Sequence, residues 1–396
     1  MSRRKRKSGC LLSILLLILF VFAGTAFLGT WEDDLKLDFR EDLQHELEMD
    51  ASLEGFYDQS DVYYYYNTLD EEEKEIYETL LYGISERAEN ITILDTNVGE
   101  VKKIMEMFWM DHPEVFWFTG EYQYVDYETK VEILPGYPYD GEEIEARIGE
   151  VAEETENFMA GVDVHSSEYD KIRQVYEYVI DSVDYVEDSS DNQSMYSALV
   201  NKESVCAGYS REVQYLLQNM GIQCLYVTGQ ISDRGSHGWN IVRCDGEYYH
   251  VDATFGDVEF SDESFEGSGD IPKELLTNYG YLCTTDERIY KGRSADHSSR
   301  LPACTMDNLN YYRQTGHFYD NAEDAWAGVE DSIWSGEDRW ICQFSSYDAY
   351  ARFLEEVEDG EYAQRTVDYL SYVSDIHEIR TWHLNDEDCL TVSCWY

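Results

Sequence analysis

Cys206, His237 and Asp252 have the side-chain types that thiol-based acyl chemistry needs, in settings that could bring them together. Cys206 opens a run in which Val213, Leu216, Leu217 and Met220 recur at helical spacing, and Gly221 is a suitable left-handed stop. The spacing predicts a helix with the cysteine at its start, where unpaired N–H groups and the positive dipole end favour a thiolate. Downstream, 237–244 (HGWNIVRC) and 247–254 (EYYHVDAT) read as strands separated only by Asp245-Gly246, a two-residue hairpin signal. In that register Cys244 faces Glu247, Arg243 faces Tyr248, Trp239 faces Asp252 and His237 faces Thr254. His237 and Asp252 then become diagonal neighbours on one face. Taken singly, each has a structural explanation: a core cysteine, a satisfied histidine, a surface aspartate. Together they supply a nucleophile, a base and a group that orients the base.

The segments carrying these residues resemble a known family. SMYSALVNKESVCAGYSREVQYLLQNMGIQCLYVTG followed by SHGWNIVRCDGEYYHVDATFGD is similar to the transglutaminase-like domain of bacterial surface proteins, most clearly from Tyr169 to Asp257. Three motifs carry the resemblance: the Cys-Ala-Gly-Tyr helix start, the His-x-Trp-Asn strand and the Val-Asp-x-Thr strand. Weaker similarity extends to YYYYNTLDEEEKEIYETLL, DHPEVFWF and YGYLCTTDERI. The resemblance implies an α+β fold with a papain-like core, the nucleophile helix packed on an antiparallel sheet. It also implies Cys206 as nucleophile, His237 as base and Asp252 as orienter. Such chemistry needs donors for an oxyanion. The backbone N–H of Cys206 is one, and Tyr185 and Tyr196 are candidates for the second. Trp239 is expected to shield the pair or wall the cleft.

The chain begins with Arg3-Arg4-Lys5-Arg6-Lys7 and an apolar run from Cys10 to Leu28, about the length of a short membrane span. With the basic residues on one side only, residues 1–29 read as a cytoplasmic tail and signal anchor, leaving the remainder outside the membrane. A cleaved signal peptide is the competing reading. Net charge is −53, so without the five basic residues of the tail the exported part carries −58. Such a surface repels nucleic acid and anionic lipid, and nucleic-acid binding is excluded. The expected partners are the membrane, through the N-terminal helix, and a peptide or protein substrate, cell-wall peptide included.

Three regions follow the anchor: a stalk and α+β region over 30–165, the catalytic region over 166–290 and a C-terminal region over 291–396. In the first, helices are expected from Leu69 to Glu89, capped by Asp70, and from Val98 to Met110. Val115–Phe118, Tyr122–Val125 and Thr129–Leu134 read as strands. His112 and His165 read as structural. The acidic Gly/Ser-rich loop 257–270 only faintly suggests a calcium loop, since its twelfth position is Lys273 rather than Glu. No phosphate loop, CxxC or HExxH occurs, and neither cofactor nor metal is expected. Of nine cysteines, eight lie beyond the anchor, and removing Cys206 leaves an odd seven; Cys224 with Cys244, and Cys389 with Cys394, could pair.

The expected reaction is acyl transfer through a thioester, with water as acceptor ranked ahead of an amine. A non-catalytic surface module of the same family is the alternative.

Overall fold

In the computed structural model the described residues are 49, 52–163, 165–232, 234–257, 276–297, 300–337, 339–359, 364–365, 367–368, 371, 380–384 and 389–395. The expected anchor and residues 258–270 of the acidic loop lie outside them. Among the described residues no helix is long and apolar enough to cross a membrane.

Helix α1 (Glu71–Ser85) starts at Asp70 in a capping box. The Asp70 carboxylate accepts from Glu72 N and Glu73 N at 3.1 and 3.0 Å, and Glu73 accepts from Asp70 N at 3.1 Å. Strand β1 (Ile91–Leu94) leads to α2 (Val98–Asp111), whose Val101, Ile104, Met105 and Phe108 are buried. The helix ends at Asp111, before His112-Pro113. There Asp111 accepts from Tyr65 N, Tyr66 N and the Tyr77 hydroxyl at 3.2, 2.9 and 3.0 Å. Residues 115–118 do not form the expected strand. They run through successive turns and pack on distant segments, Phe116 against Tyr196 at 5.3 Å and the Trp117 indole N–H on the Ile84 carbonyl at 3.3 Å. Aromatic richness marks a surface to be covered, and here turns rather than a ladder cover it. Strands β2 (Tyr122–Asp126) and β3 (Lys130–Pro135) then form an antiparallel sheet in the order β1-β3-β2.

Helices α3 (Gly141–Met159) and α4 (Glu168–Ser182) precede a two-residue parallel pairing of β4 (Asp184–Tyr185) with β5 (Glu203–Ser204). Between these strands a π-helical turn, Ser197–Asn201, ends in Lys202 at φ 60°. Helix α5 (Cys206–Asn219) follows and packs on β6 (Cys224–Ile231) and β7 (Gly235–Cys244). Strand β8 (Glu247–Val251) and the short helix α6 (Ala253–Gly256) come next, then β9 (Arg293–Ala295). The sheet runs β8-β7-β6-β9 with every pair antiparallel. Helices α4 and α5 share the main core through Ile172, Val175, Tyr176, Tyr209, Val213 and Leu217.

Cys224 stands opposite Val242 rather than Cys244, two residues out of register for the pairing the sequence allowed. Both are buried thiols. The C-terminal part forms a separate sheet, β10-β11-β13-β12, from β10 (Phe318–Tyr319), β11 (Arg339–Phe344), β12 (Arg380–Leu384) and β13 (Thr391–Trp395). Its core includes Trp326 of α7 (Ala322–Ser335) stacked 5.0 Å from Phe353 of α8 (Tyr347–Asp359).

Helix α5 also carries an unusual core residue. Glu212 is fully buried and neither carboxyl oxygen has a hydrogen-bond partner. Burial pushes its pKa from 4.5 up to about 8. Because the folded value lies above the unfolded one, its contribution to stability is full below pH 4.5 and is lost as pH rises through 8. Glu212→Gln, which does not titrate, should therefore gain on wild type across that window and melt about 3 °C or more higher at pH 9. A melting difference that is the same at pH 5 and pH 9 would refute a protonated Glu212.

Candidate active site

The Cys206 thiol sits on the first residue of α5, half-buried, after an extended Val205 at φ −114° and ψ −177°. The glycine and tyrosine of the Cys-Ala-Gly-Tyr start have visible tasks. A Cβ at Gly208 would lie 1.8 Å from Ser204 Oγ and 2.9 Å from the Ser194 carbonyl oxygen, so only glycine lets the helix start press against the preceding turns. The Tyr209 hydroxyl donates to the Val183 carbonyl at 2.5 Å and lies 3.1 Å from Asp257 Oδ2, tying the helix start to the end of α4 and to the chain beyond α6. Asn240 on β7 donates to the Ser210 and Leu225 carbonyls at 2.9 and 3.2 Å and so fixes α5 to the sheet.

His237 projects from β7 and is 6% exposed. Its Nε2 lies 2.8 Å from Asp252 Oδ2, while its ring also hydrogen-bonds the Cys206 side chain. With Nε2 committed to Asp252, Nδ1 is the ring atom left for the sulfur. The strand register holds as far as Asn240 opposite Val251 and then stops. Asp252 does not continue the ladder opposite Trp239, nor does Thr254 face His237. Instead Asp252 caps α6, its Oδ1 accepting from Phe255 N at 3.1 Å, which turns Oδ2 toward the imidazole. A cap residue has non-helical backbone and a side chain folded toward the helix N–H groups. The expected contact therefore forms by a different route from the expected one.

Asp252 Oδ2 has a second partner that the sequence did not suggest. Arg293 of β9 is buried, and its Nη1 donates to Oδ2 at 2.5 Å. Its guanidinium lies among the rings of Phe255, Tyr281 and Trp239, at 4.8, 5.5 and 5.6 Å. Strand β9 comes this close because residue 229 is glycine. A Cβ there would meet the Ser294 carbonyl oxygen at 2.0 Å. No local sequence signal marks Arg293, since its meaning comes from a strand pairing about 60 residues distant.

Burial pushes the Asp252 carboxyl up, but His237 and Arg293 outweigh it and hold it at about 2. Burial pulls the His237 ring down, but the Asp252 charge and hydrogen bond and the Cys206 contact raise it to about 9. Arg293 thus helps to keep Asp252 ionised, and Asp252 keeps the ring charged through neutral pH.

Trp239 is fully buried rather than a cleft wall. It stacks on His237 at 6.0 Å and donates from Nε1 to His250 Nδ1 at 3.0 Å; His250 Nε2 lies 2.8 Å from Asp286 Oδ1. Since Nδ1 accepts from the indole, the His250 proton resides on Nε2 facing Asp286. Cys304 also approaches this pair. A cation on Nε2 would have to displace that proton, so the cluster reads as the brace that fixes Trp239 beneath the imidazole. Of the two tyrosines considered as oxyanion donors, Tyr196 is engaged elsewhere, donating to Glu150 at 2.5 Å. The Tyr185 hydroxyl reaches the Cys206 backbone, and burial raises its pKa to about 12, so it retains a proton to donate. A sulfur, an imidazole, a carboxylate and a hydroxyl beside the sulfur's own amide are the parts that thiol acyl transfer requires.

Residues 157–253 match the profile of the Transglutaminase-like superfamily. This part of the chain is a transglutaminase-like domain. The match spans Cys206, His237 and Asp252 and stops short of Arg293. Among solved structures, a transglutaminase (TGase) is similar at 13% identity and a TM-score of 0.26, over 42% of this chain and 50% of that one. A putative cysteine protease from Cytophaga hutchinsonii is similar at 14% identity and a TM-score of 0.24, over 34% of this chain and 61% of that one. The chain therefore spans about half of the first structure's length. No curated protein matches the sequence.

Proposed function

We propose that the transglutaminase-like domain is a cysteine-dependent acyl-transfer enzyme that acts on peptide-like amides through a thioester. The observation that carries this reading is the line of Cys206, His237 and Asp252, with 2.8 Å between imidazole and carboxylate. The His237 ring, held charged to about pH 9 by Asp252, stands against the sulfur with a proton ready for a leaving group. The Cys206 sulfur attacks the amide carbon, and the carbonyl electrons move onto oxygen, facing the Cys206 N–H and the Tyr185 hydroxyl. As the oxyanion collapses the C–N bond breaks, and the departing amine takes its proton from His237. The neutral ring then takes a proton from the acceptor, which attacks the thioester and expels the sulfur. Water as acceptor gives an amidase or peptidase; an amine gives a cross-link. Asp252 holds the ring in the required tautomer throughout.

Hydrolysis of peptide-like amides is the favoured outcome. The basic tail and apolar run of residues 3–28 support an extracytoplasmic, membrane-anchored site of action, where cell-wall peptides and surface proteins are the available amides. Incubation with short acyl-peptides, with and without hydroxylamine, followed by mass spectrometry should show an acyl adduct on Cys206 and a hydroxamate product, both absent from Cys206→Ala. A hydroxamate formed equally by Cys206→Ala, or a binding-competent protein that never acquires the adduct, would favour the non-catalytic module.

A further inference from the structure

A cavity of about 250 Å³ lies between the end of α2, the turns at 112–119 and the segment 191–195. Its lining combines the aromatic rings of Trp109, Phe116 and Phe118 with the guanidinium of Arg211 on α5. Arg211 is 4% exposed. Its Nη2 donates to the Trp109 carbonyl at 3.1 Å, and its plane stacks 3.8 Å from the Trp109 ring and 4.7 Å from Tyr226. No described carboxylate forms an ion pair with it. Buried charges are normally paired, and this chain carries 82 acidic residues against 29 lysines and arginines. An unpaired buried guanidinium is therefore the exception that needs explaining.

The acids nearest the cavity are already taken. Asp191 lines it but accepts from Arg147 Nη1 at 2.8 Å. Glu114 lies 2.5 Å from His112 Nδ1 and accepts from the Tyr63 hydroxyl at 3.5 Å. What the cavity offers a ligand is thus an aromatic wall and a fork of cationic donors.

Cys206 does not line the cavity, but residues that do line it are in contact with the surroundings of the thiol. Arg211 follows Cys206 by five positions on one helix, about 7.5 Å along the axis. Tyr226 bridges the two places: its ring stands edge-on to Trp109 at 5.9 Å, and its hydroxyl lies beside Gly238, next to His237. The Asn192 carbonyl on the far wall accepts from Val205 N at 3.2 Å, immediately before Cys206. Five residues also turn the helix by about 140°, so the axial rise is the least distance a substrate must span, and at about 3.3–3.6 Å per extended residue that is at least about two residues.

We propose that this cavity is a substrate subsite in which Arg211 binds a carboxylate carried by the acyl substrate at least about two residues from the bond attacked. The proposal rests on the thioester reading above and adds the substrate class, an acidic peptide-like amide. At a net charge of −53 the protein repels anions at a distance, so selection is made by contact at the guanidinium and not by long-range steering.

The test uses full-length protein and two matched probes, acetyl-Glu-Gly and acetyl-Gln-Gly chloromethyl ketone. Wild type should be alkylated at Cys206 about 10-fold or more faster by the glutamyl probe, the effect of one charge-assisted contact. Arg211→Gln should bring the ratio of the two rates to about one, and Arg211→Lys should retain part of the preference. Free N-acetylglutamate should also protect wild-type Cys206 from iodoacetamide where N-acetylglutamine does not, a readout that needs no variant to fold. Equal rates with both probes on a His237-dependent Cys206 would overturn the subsite and leave the thioester reading standing. Failure of Cys206 to react in a His237-dependent way with iodoacetamide or either ketone would overturn both.

Discussion

At pH 6, iodoacetamide is expected to label Cys206 well ahead of the other described cysteines, and His237→Ala should slow that labelling by about 100-fold or more. The contrast follows from position. Cys224, Cys244, Cys283 and Cys304 are buried, and burial pushes their thiols up, Cys244 to about 12. Cys206 alone among these stands half-exposed against an imidazole that stays charged to about pH 9. On the thioester mechanism proposed above, the same ring would set the alkaline limit of turnover. The leaving amine needs the His237 proton, so acyl transfer from amides should fall as pH rises through about 9. Mapping the alkylated residue by mass spectrometry, with rates from pH 5 to 10, checks both. Labelling spread over several cysteines, or indifferent to His237, would remove the basis for an activated thiol.

Asp252→Asn should cost about 10³- to 10⁴-fold in kcat while leaving the site nearly isosteric, because an amide cannot hold the ring in the same tautomer or stabilise its charge. Without the carboxylate, the burial that pulls His237 down is much less opposed, and the alkaline limb should move from about 9 toward or below 6.5. Stability should change as well. Asp252 is fully buried between two cationic partners, and removing its charge strands Arg293, at a cost of about 3–5 kcal/mol.

The pH window of that cost follows from the shifts. The Asp252 carboxyl is held below its unfolded value of 3.8, so its contribution is present above pH 3.8 and lost as pH falls toward 2. His237 is raised above 6.5, so its contribution is complete below pH 6.5 and lost as pH rises through 9. The gap in denaturant stability between wild type and Asp252→Asn should therefore be widest between about pH 4 and 6.5. A gap that is constant from pH 3 to 9 would contradict the pairing.

Much of this was legible locally. The α5 periodicity, the Asp245-Gly246 turn and the Asp70 cap each act within a few residues, where sequence spacing and backbone geometry are nearly the same information. The hairpin register was readable because a two-residue turn leaves one alignment of its strands, from Cys244 opposite Glu247 to Asn240 opposite Val251. It failed beyond Val251 because a helix cap replaced the next rung, a competition between two local hydrogen-bond schemes that pattern alone does not resolve. The strand expected at 115–118 failed for a related reason. Aromatic side chains report that a surface will be covered, and the backbone that carries them depends on what covers it.

By itself, then, the sequence determined the helix with its leading cysteine, the hairpin that carries His237, and a strongly acidic composition. The tertiary structure alone decided what surrounds them. Arg293 reaches Asp252 through the pairing of β9 with β6 at Gly229, and Arg211 is left without a carboxylate because the nearby acids are held by other partners. The physical reason is range. Turns, caps and periodicity are written in neighbouring residues, whereas burial and charge pairing belong to residues that only the packed chain brings within a few ångströms.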